Sequence, residues 1–351
     1  MFKSMRWAGR VALGLIGGYA LAAPVQAQDS TAYLQGLYDK AKAAGQTEIV
    51  VYAASFADNI PLYEAFHARY PTITVKGIDI FGPPLQSRLQ AEFASTGPQA
   101  DLIASGEPDV LNFKAQGWLQ AFVPETAKGL PNTLIGPDNM WIDYASIPLG
   151  AIVNTTMVAA GQMPKSWKDF TDPAWRAKTS MSNPGGINGL SQALAAGMKA
   201  GIIDQAWLDK MAANKPLITP GAVAALQMVA TGQAALSPIV AYTQYANAKK
   251  QGAPLEFVFP TEGITALPAP FALVAKAPHA DAAKLLEAWT MTPEAQAILS
   301  TKINQPGTMP GAPPMAGAPP GTNPKVFILD WRYLQDNYPG LLAGFKKTFG
   351  T

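Results

Sequence analysis

The chain has 351 residues, a formal charge of +2, no cysteine and two histidines. Without cysteine there can be no disulfides, thiolate catalysis or cysteine-ligated metals, so stability must come from packed cores. Two isolated histidines cannot build a histidine-rich metal centre, and no basic run with interleaved aromatics offers a nucleic-acid surface.

The first residues, MFKSMRWAGR, carry Lys3, Arg6 and Arg10, and an uncharged run VALGLIGGYALAA follows. That run falls short of the roughly 20 apolar residues that span a bilayer. Val25 and Ala27 sit where a signal peptidase reads small residues, so the segment 1–27 is expected to be an export leader cut after Ala27. The expected destination is the periplasm, and with no cysteine at the cut there is no lipid anchor. Loss of the leader removes three bases and leaves a slightly acidic chain, long enough for two lobes.

Next, apolar spacing predicts a helix from Thr31 to Ala44 and a buried strand from Glu48 to Ser55. Asp58 is placed to cap a helix carrying Leu62, Ala65, Phe66 and Tyr70. The strand TITVKGIDI, a helix over 85–94, the strand Ala100 to Ser105 and a helix over 109–116 follow. This alternation predicts a parallel α/β sheet, and such sheets hold ligands beyond their strands' carboxyl ends. Those ends mark Ser55 and the run Ser105-Gly106-Glu107.

A second α/β unit begins at Met140. Met140 to Asn154 reads as two β segments broken at Pro148, and helices follow over 189–200 and 220–230. A strand and helix then lead to the β-rich LEFVFPTEGITALPAPFALVAK. The expected organisation is a first lobe over 28–140 with 268–304 returning to it, and a second lobe over 141–267. The proline- and glycine-rich stretch 305–324 is expected to run over the surface, and a last helix, Phe327 to Phe349, to break near Pro339.

The loop SMSNPGGINGL, Ser180 to Leu190, stands out. Asn188 can cap a helix whose buried stripe is Leu190, Leu194 and Met198. Backbone N–H groups over 186–190 would then be free to hold an anion at the positive end of the helix. The loop is neither GxxxxGK[ST] nor GxGxxG, which argues against a nucleotide. An ordinary turning loop is the alternative. No GxSxG, HExxH or SxxK occurs, so a secreted hydrolase is disfavoured and no enzyme activity or cofactor is expected.

Six stretches in order, EIVVYAAS, ADLIASGEPD, WIDYASIPLGAIVN, PKSWKDFTDPAWRAKTSMSNPGGINGL, LSPIVAYTQYANAKKQGAPLEFVFPTEG and DWRYLQDNYPGLLAGFKKTFG, carry a family resemblance. The chain resembles the extracellular solute-binding proteins of ABC importers, in the group with ferric-ion and 2-aminoethylphosphonate binders. The resemblance implies an α/β, two-lobed, type II periplasmic-binding fold, with a small-molecule ligand in the cleft between lobes. It implies a monomer that delivers its ligand to the membrane permease subunits; a sensor protein would use the same cleft.

The resemblance also places ligand contacts at Ser182, Asn183, Gly185, Gly186, Asn188 and Tyr242, opposite Ser55, Ser105 and Glu107. The expected ligand is an organic anion or zwitterion, its ammonium on Glu107 and its anionic end on the 183–188 loop. Ferric iron, held by Glu107 and Tyr242, is the alternative. Iron-binding relatives carry adjacent tyrosines, whereas here Thr243 follows Tyr242, and the next phenol is Tyr245. The loop at Ser55 also lacks the histidine that some iron binders have there. Trp141 and Tyr144 could line the cleft or belong to the core, and His67 and His279 are expected to play no special part.

Overall fold

The computed structural model describes residues 25–54, 56–315, 317–319 and 324–351. The expected leader lies outside them as far as Pro24. The first elements are α1 (Val25–Ala43), β1 (Glu48–Ala53), α2 (Ile60–Arg69), β2 (Thr74–Asp79), α3 (Gly82–Ala94), β3 (Leu102–Ala104) and α4 (Glu107–Ala115). β1 pairs in parallel with β2 on one edge and β3 on the other. Its central place explains its apolar sequence: Ile49, Val51 and Tyr52 are all buried.

The chain then crosses through β4 (Ile142–Asn154) and builds β5 (Ser180–Ser182), α5 (Gly189–Lys199), α6 (Gln205–Ala213), β6 (Leu217–Thr219), α7 (Ala222–Ala230), β7 (Leu236–Ala241), α8 (Tyr242–Lys250) and β8 (Leu255–Val258). It returns through β9 (Ile264–Leu273) to α9 (Ala280–Thr290) and α10 (Pro293–Ile298), then ends with β10 (Val326–Ile328) and α11 (Trp331–Phe349). One half packs its core around Phe66, Phe271 and Trp289, the other around Trp167, Phe170 and Trp207.

Three expectations need correction. The break at Pro148 is absent. Pro148 pairs with Ala266 of β9, and on its other edge the neighbour changes from Gly307, bridged to Ala145, to β7, whose last residue Ala241 lies opposite Leu149. A residue without an N–H fits where no ladder bond is needed. The final helix does not begin at Phe327, which lies in β10 beside Thr265 of β9; Asp330 caps α11 by accepting from the Tyr333 N–H. Pro339 lies inside α11 and does not end it.

The third concerns 305–324. Its described part does not simply cross the surface. Pro306 accepts from the Ser146 N–H, and the Thr308 hydroxyl donates to the Asp143 carbonyl at 2.6 Å. Met315 is buried among Tyr242, Tyr245 and Phe257. Pairing to the exposed edge of β4 satisfies backbone groups that this proline-rich sequence could not satisfy alone.

Register decides which loops face each other. β3 runs antiparallel to the lobe-1 end of β9, with Leu102 opposite Leu273 and Ile103 opposite Ala272. The carboxyl ends of β1, β2 and β3 therefore point along β9 toward the second half. β7 runs antiparallel to β4, with Leu236 opposite Val153 and Ala241 opposite Leu149, and β5 and β6 share its direction. Their carboxyl ends point back toward the first half.

Candidate functional site

The facing ends bring together 56–59, 79–84 and 104–109 from one half and 182–188, 219–224 and 241–247 from the other. The two halves come close here: Asn247 of α8 lies near enough to the Asp58 carboxylate, just beyond β1, to favour its ionised form. Asp58 does not cap α2 as expected: it lies within a short 3-10 turn, Ala57–Asn59, and Asn59 holds the N-cap position. Burial raises its pKa and the nearby Asp79 charge adds to the rise, while the Asn247 amide opposes it.

The first wall is set by two aspartates. Asp79, at the end of β2, accepts from the Phe56 N–H. Asp109 accepts from the Ser105 hydroxyl at 2.5 Å and from the Gly82 N–H at 3.0 Å, tying the β2 and β3 loops together. Ser105 is thus at the predicted place, but its hydroxyl is engaged by Asp109. Ser55 lies outside the described residues.

On the second wall, the 183–188 loop is self-contained. Asn183 Oδ1 takes the Gly185 N–H, the Asn183 carbonyl takes the Gly186 N–H and the Asn188 side-chain amide, and Asn188 Oδ1 takes the Leu190 and Ser191 N–H groups. The Ser191 hydroxyl in turn accepts from the Asn188 N–H, completing a capping box. Asn188 is the N-cap as predicted. The donors expected to be free for an anion are mostly spent within the loop, which corrects the expected anion cradle. Ser182 is buried at the end of β5. Gly185 lies against α11, since a Cβ there would sit 2.5 Å from Lys346 Cγ and 2.8 Å from Thr351 Oγ1.

Glu107 does not face that loop. It opens α4 and is buried beside Asp143, Asp330 and the N-terminus of α11. Neither of its carboxylate oxygens completes a well-formed hydrogen bond, although the Trp331 N–H lies close enough to oppose the upward pKa shift. That shift comes first from burial, then from Asp143 and Asp330. Asp330 forms an ion pair with Lys199 of α5. Trp331 and Lys346 are fifteen positions apart on α11, about 22 Å at the helical rise. Glu107 and the 183–188 loop thus lie toward opposite ends of that helix, and one small zwitterion cannot bridge them.

Tyr242 opens α8 and is buried in an aromatic cluster with Tyr245, Phe257 and Phe259. Its hydroxyl is covered by Gly317, where an added Cβ would fall 1.5 Å from Oη. Burial raises its pKa, and Tyr245 and Glu256 add to the rise. A phenol oxygen covered in this way is poorly placed to ligate iron. We expect Gly317→Val to lift this segment off Tyr242 and bring the phenol back toward its ordinary pKa of about 10. An ultraviolet pH titration against a Tyr242→Phe background checks this; an unchanged difference curve would show that Gly317 does not cover the phenol.

Trp141 and Tyr144 are core residues, each almost completely buried. His67 bonds the Ile73 carbonyl, and His279 bonds the buried Asp101 carboxylate through its ring and its backbone N–H. Sequence reasoning missed Asp79 and gave Asp58 only a capping role. Their positions just past β1 and at the end of β2 were the available signal.

Residues 97–337 match the profile of the family described as bacterial extracellular solute-binding protein. A putative 2-aminoethylphosphonate-binding periplasmic protein of Salmonella typhimurium is 29% identical over 159 residues, 44% of this chain and 45% of that protein. The match therefore spans about half of that relative's length. Among solved structures, AfuA from Actinobacillus pleuropneumoniae, with fructose-6-phosphate bound, superposes with a TM-score of 0.68 at 20% identity, covering 86% of this chain and 98% of that one. Iron-bound HitA from Pseudomonas aeruginosa gives 0.68 at 19% identity, covering 86% and 99%. At these identities the likeness establishes the fold, the expected two-lobed type II architecture.

Proposed function

The chain belongs to the bacterial extracellular solute-binding proteins, and from that premise we propose that it captures a small organic zwitterion in the periplasm and passes it to the permease subunits of an ABC importer. An aminophosphonate is the first candidate. The observation that carries this reading is the meeting of strand ends from both halves, which the registers of β3 on β9 and of β7 on β4 turn toward each other. The Salmonella relative supports the ligand class through its name. Export through the leader cut after Ala27 is part of the same reading, as is capture without turnover.

Thermal melts of the purified protein with 2-aminoethylphosphonate test it. At a thousand times Kd a ligand adds about 4.1 kcal/mol, roughly 8–16 °C for a chain of this size. The expected result is a saturable rise of that order. No rise at millimolar ligand would remove aminophosphonate from the reading. Ferric citrate is expected to give no visible charge-transfer band; a strong band lost in Tyr242→Phe would put iron in its place.

A further inference from the structure

The six facing segments, 56–60, 79–84, 104–109, 182–188, 219–224 and 241–247, contain no lysine, arginine or histidine. They contain four acids, Asp58, Asp79, Glu107 and Asp109. Glu107 is turned toward α11, and Asp109 is occupied by Ser105 and Gly82. Asp58 and Asp79 remain at the gap, close enough for the Asp79 charge to act on Asp58. The bases on the elements behind them are paired, Lys76 with Glu48 and Arg88 with Glu92. A purely anionic solute would meet two carboxylates on the first wall; on the second, Lys346 lies against Gly185, but the 183–188 loop has already spent most of its donors.

An independent observation comes from α2. Tyr63 is 95% buried by its 5% exposure, and its hydroxyl has no hydrogen-bond partner. It lies near the core phenol of Tyr144 and, less closely coupled, within reach of the Asp79 charge, and its ring stacks on Phe56 at 5.0 Å. Buried hydroxyls in folded proteins are normally satisfied, so this one marks a place left for an incoming polar group. The surroundings are apolar. Phe81 is 63% exposed and Ile60 43% on the first wall, and Ile187 is 69% and Val223 62% on the second. Exposed apolar side chains gathered where two lobes face each other mark a binding surface, and aromatic faces beside carboxylates suit organic cations.

We propose that Asp58, Asp79, the Tyr63 hydroxyl and the Phe81 ring form an ammonium subsite, so that the solute carries a protonated amine on an apolar body. This rests on the reading of the cleft as a solute site and replaces Glu107 as the amine's partner. The amine sets affinity, and any anionic end of the solute contributes less.

Calorimetry with three probes tests the subsite: 2-aminoethylphosphonate, ethylphosphonate and n-butylamine. Ethylphosphonate, lacking the nitrogen, is expected to bind at least tenfold more weakly than 2-aminoethylphosphonate. Asp58→Asn and Asp79→Asn should each weaken the amine probes tenfold or more without weakening ethylphosphonate. Phe81→Ala, at an exposed ring, should weaken the amines with an unchanged melting temperature. Equal binding of the two phosphonates, or aspartate variants within twofold of the parent, overturns the subsite and leaves solute capture standing. If none of the three probes binds, a thermal-shift panel of amines and nitrogen-free acids decides. An amine hit lost in the aspartate variants supports the subsite, an acid hit overturns it alone, and no hit overturns both readings.

Discussion

Asp143→Asn is expected to raise the melting temperature at pH 8 and to leave it unchanged at pH 4. Asp143 is fully buried on the crossing strand β4, and neither carboxylate oxygen has a hydrogen-bond partner. Burial raises its pKa, and the Asp330 charge raises it further. With a raised folded pKa, the native state keeps a proton that the unfolded chain loses above its ordinary carboxylate pKa of about 4. Native protein then binds more protons than unfolded, so stability is full in acid and falls as pH rises toward the folded pKa. The slope is up to about 1.4 kcal/mol per pH unit for each such group. Glu107 shifts the same way, as does Glu287, which is fully buried in α9 without a partner. Asparagine carries no such linkage, so the variant should lose part of the decline. Melts at half-unit steps from pH 4 to 8 check this, with Glu287→Gln as a second variant remote from the crossing strands. Parallel curves for parent and both variants would show that these carboxylates are ionised and solvated in the native protein.

Trp289→Ala is expected to cost about 3–5 kcal/mol, the range for removing a large buried aromatic, and to lower the melting temperature by roughly 6–20 °C. Trp289 is completely buried on α9 and meets the edge of Phe66 at 5.6 Å. It thereby joins α9, which follows the return through β9, to α2 from the start of the chain. Its loss should open a cavity in the first lobe and leave the core around Trp167 and Trp207 intact. Denaturant unfolding followed by fluorescence should show the first lobe melting ahead of the second. A cost below about 1 kcal/mol would mean that the neighbours collapse into the space.

The parallel cadence of β1, β2 and β3 was legible because a strand buried on both faces must be apolar over most of its length, and after Glu48 the run IVVYA is. The capping role of Asn188 was legible for a similar reason, since a cap acts on the next few residues and leaves a local signature. Family membership was also carried by the sequence, through six ordered stretches rather than any single motif.

The site was only partly legible. Glu107 and the 183–188 loop both lie after strand ends, which made them look like partners. Their separation depends on how α11 lies across the two halves, with Trp331 packed in a first-lobe cluster and Phe345 in a second-lobe core. Burial of Tyr242 likewise depends on a segment more than seventy positions away, brought back because the free edge of β4 needed hydrogen-bond partners.

By itself the sequence determined which segments become strands and helices, where one helix is capped, and the absence of bases from the strand ends, because each is a local property of residue type and spacing. The tertiary structure alone decided that Asp58 and Asp79 stand at the gap while Glu107 is buried beneath α11. The orientation and solvation of a carboxylate depend on what packs over it, and here that covering comes from chain far away in sequence.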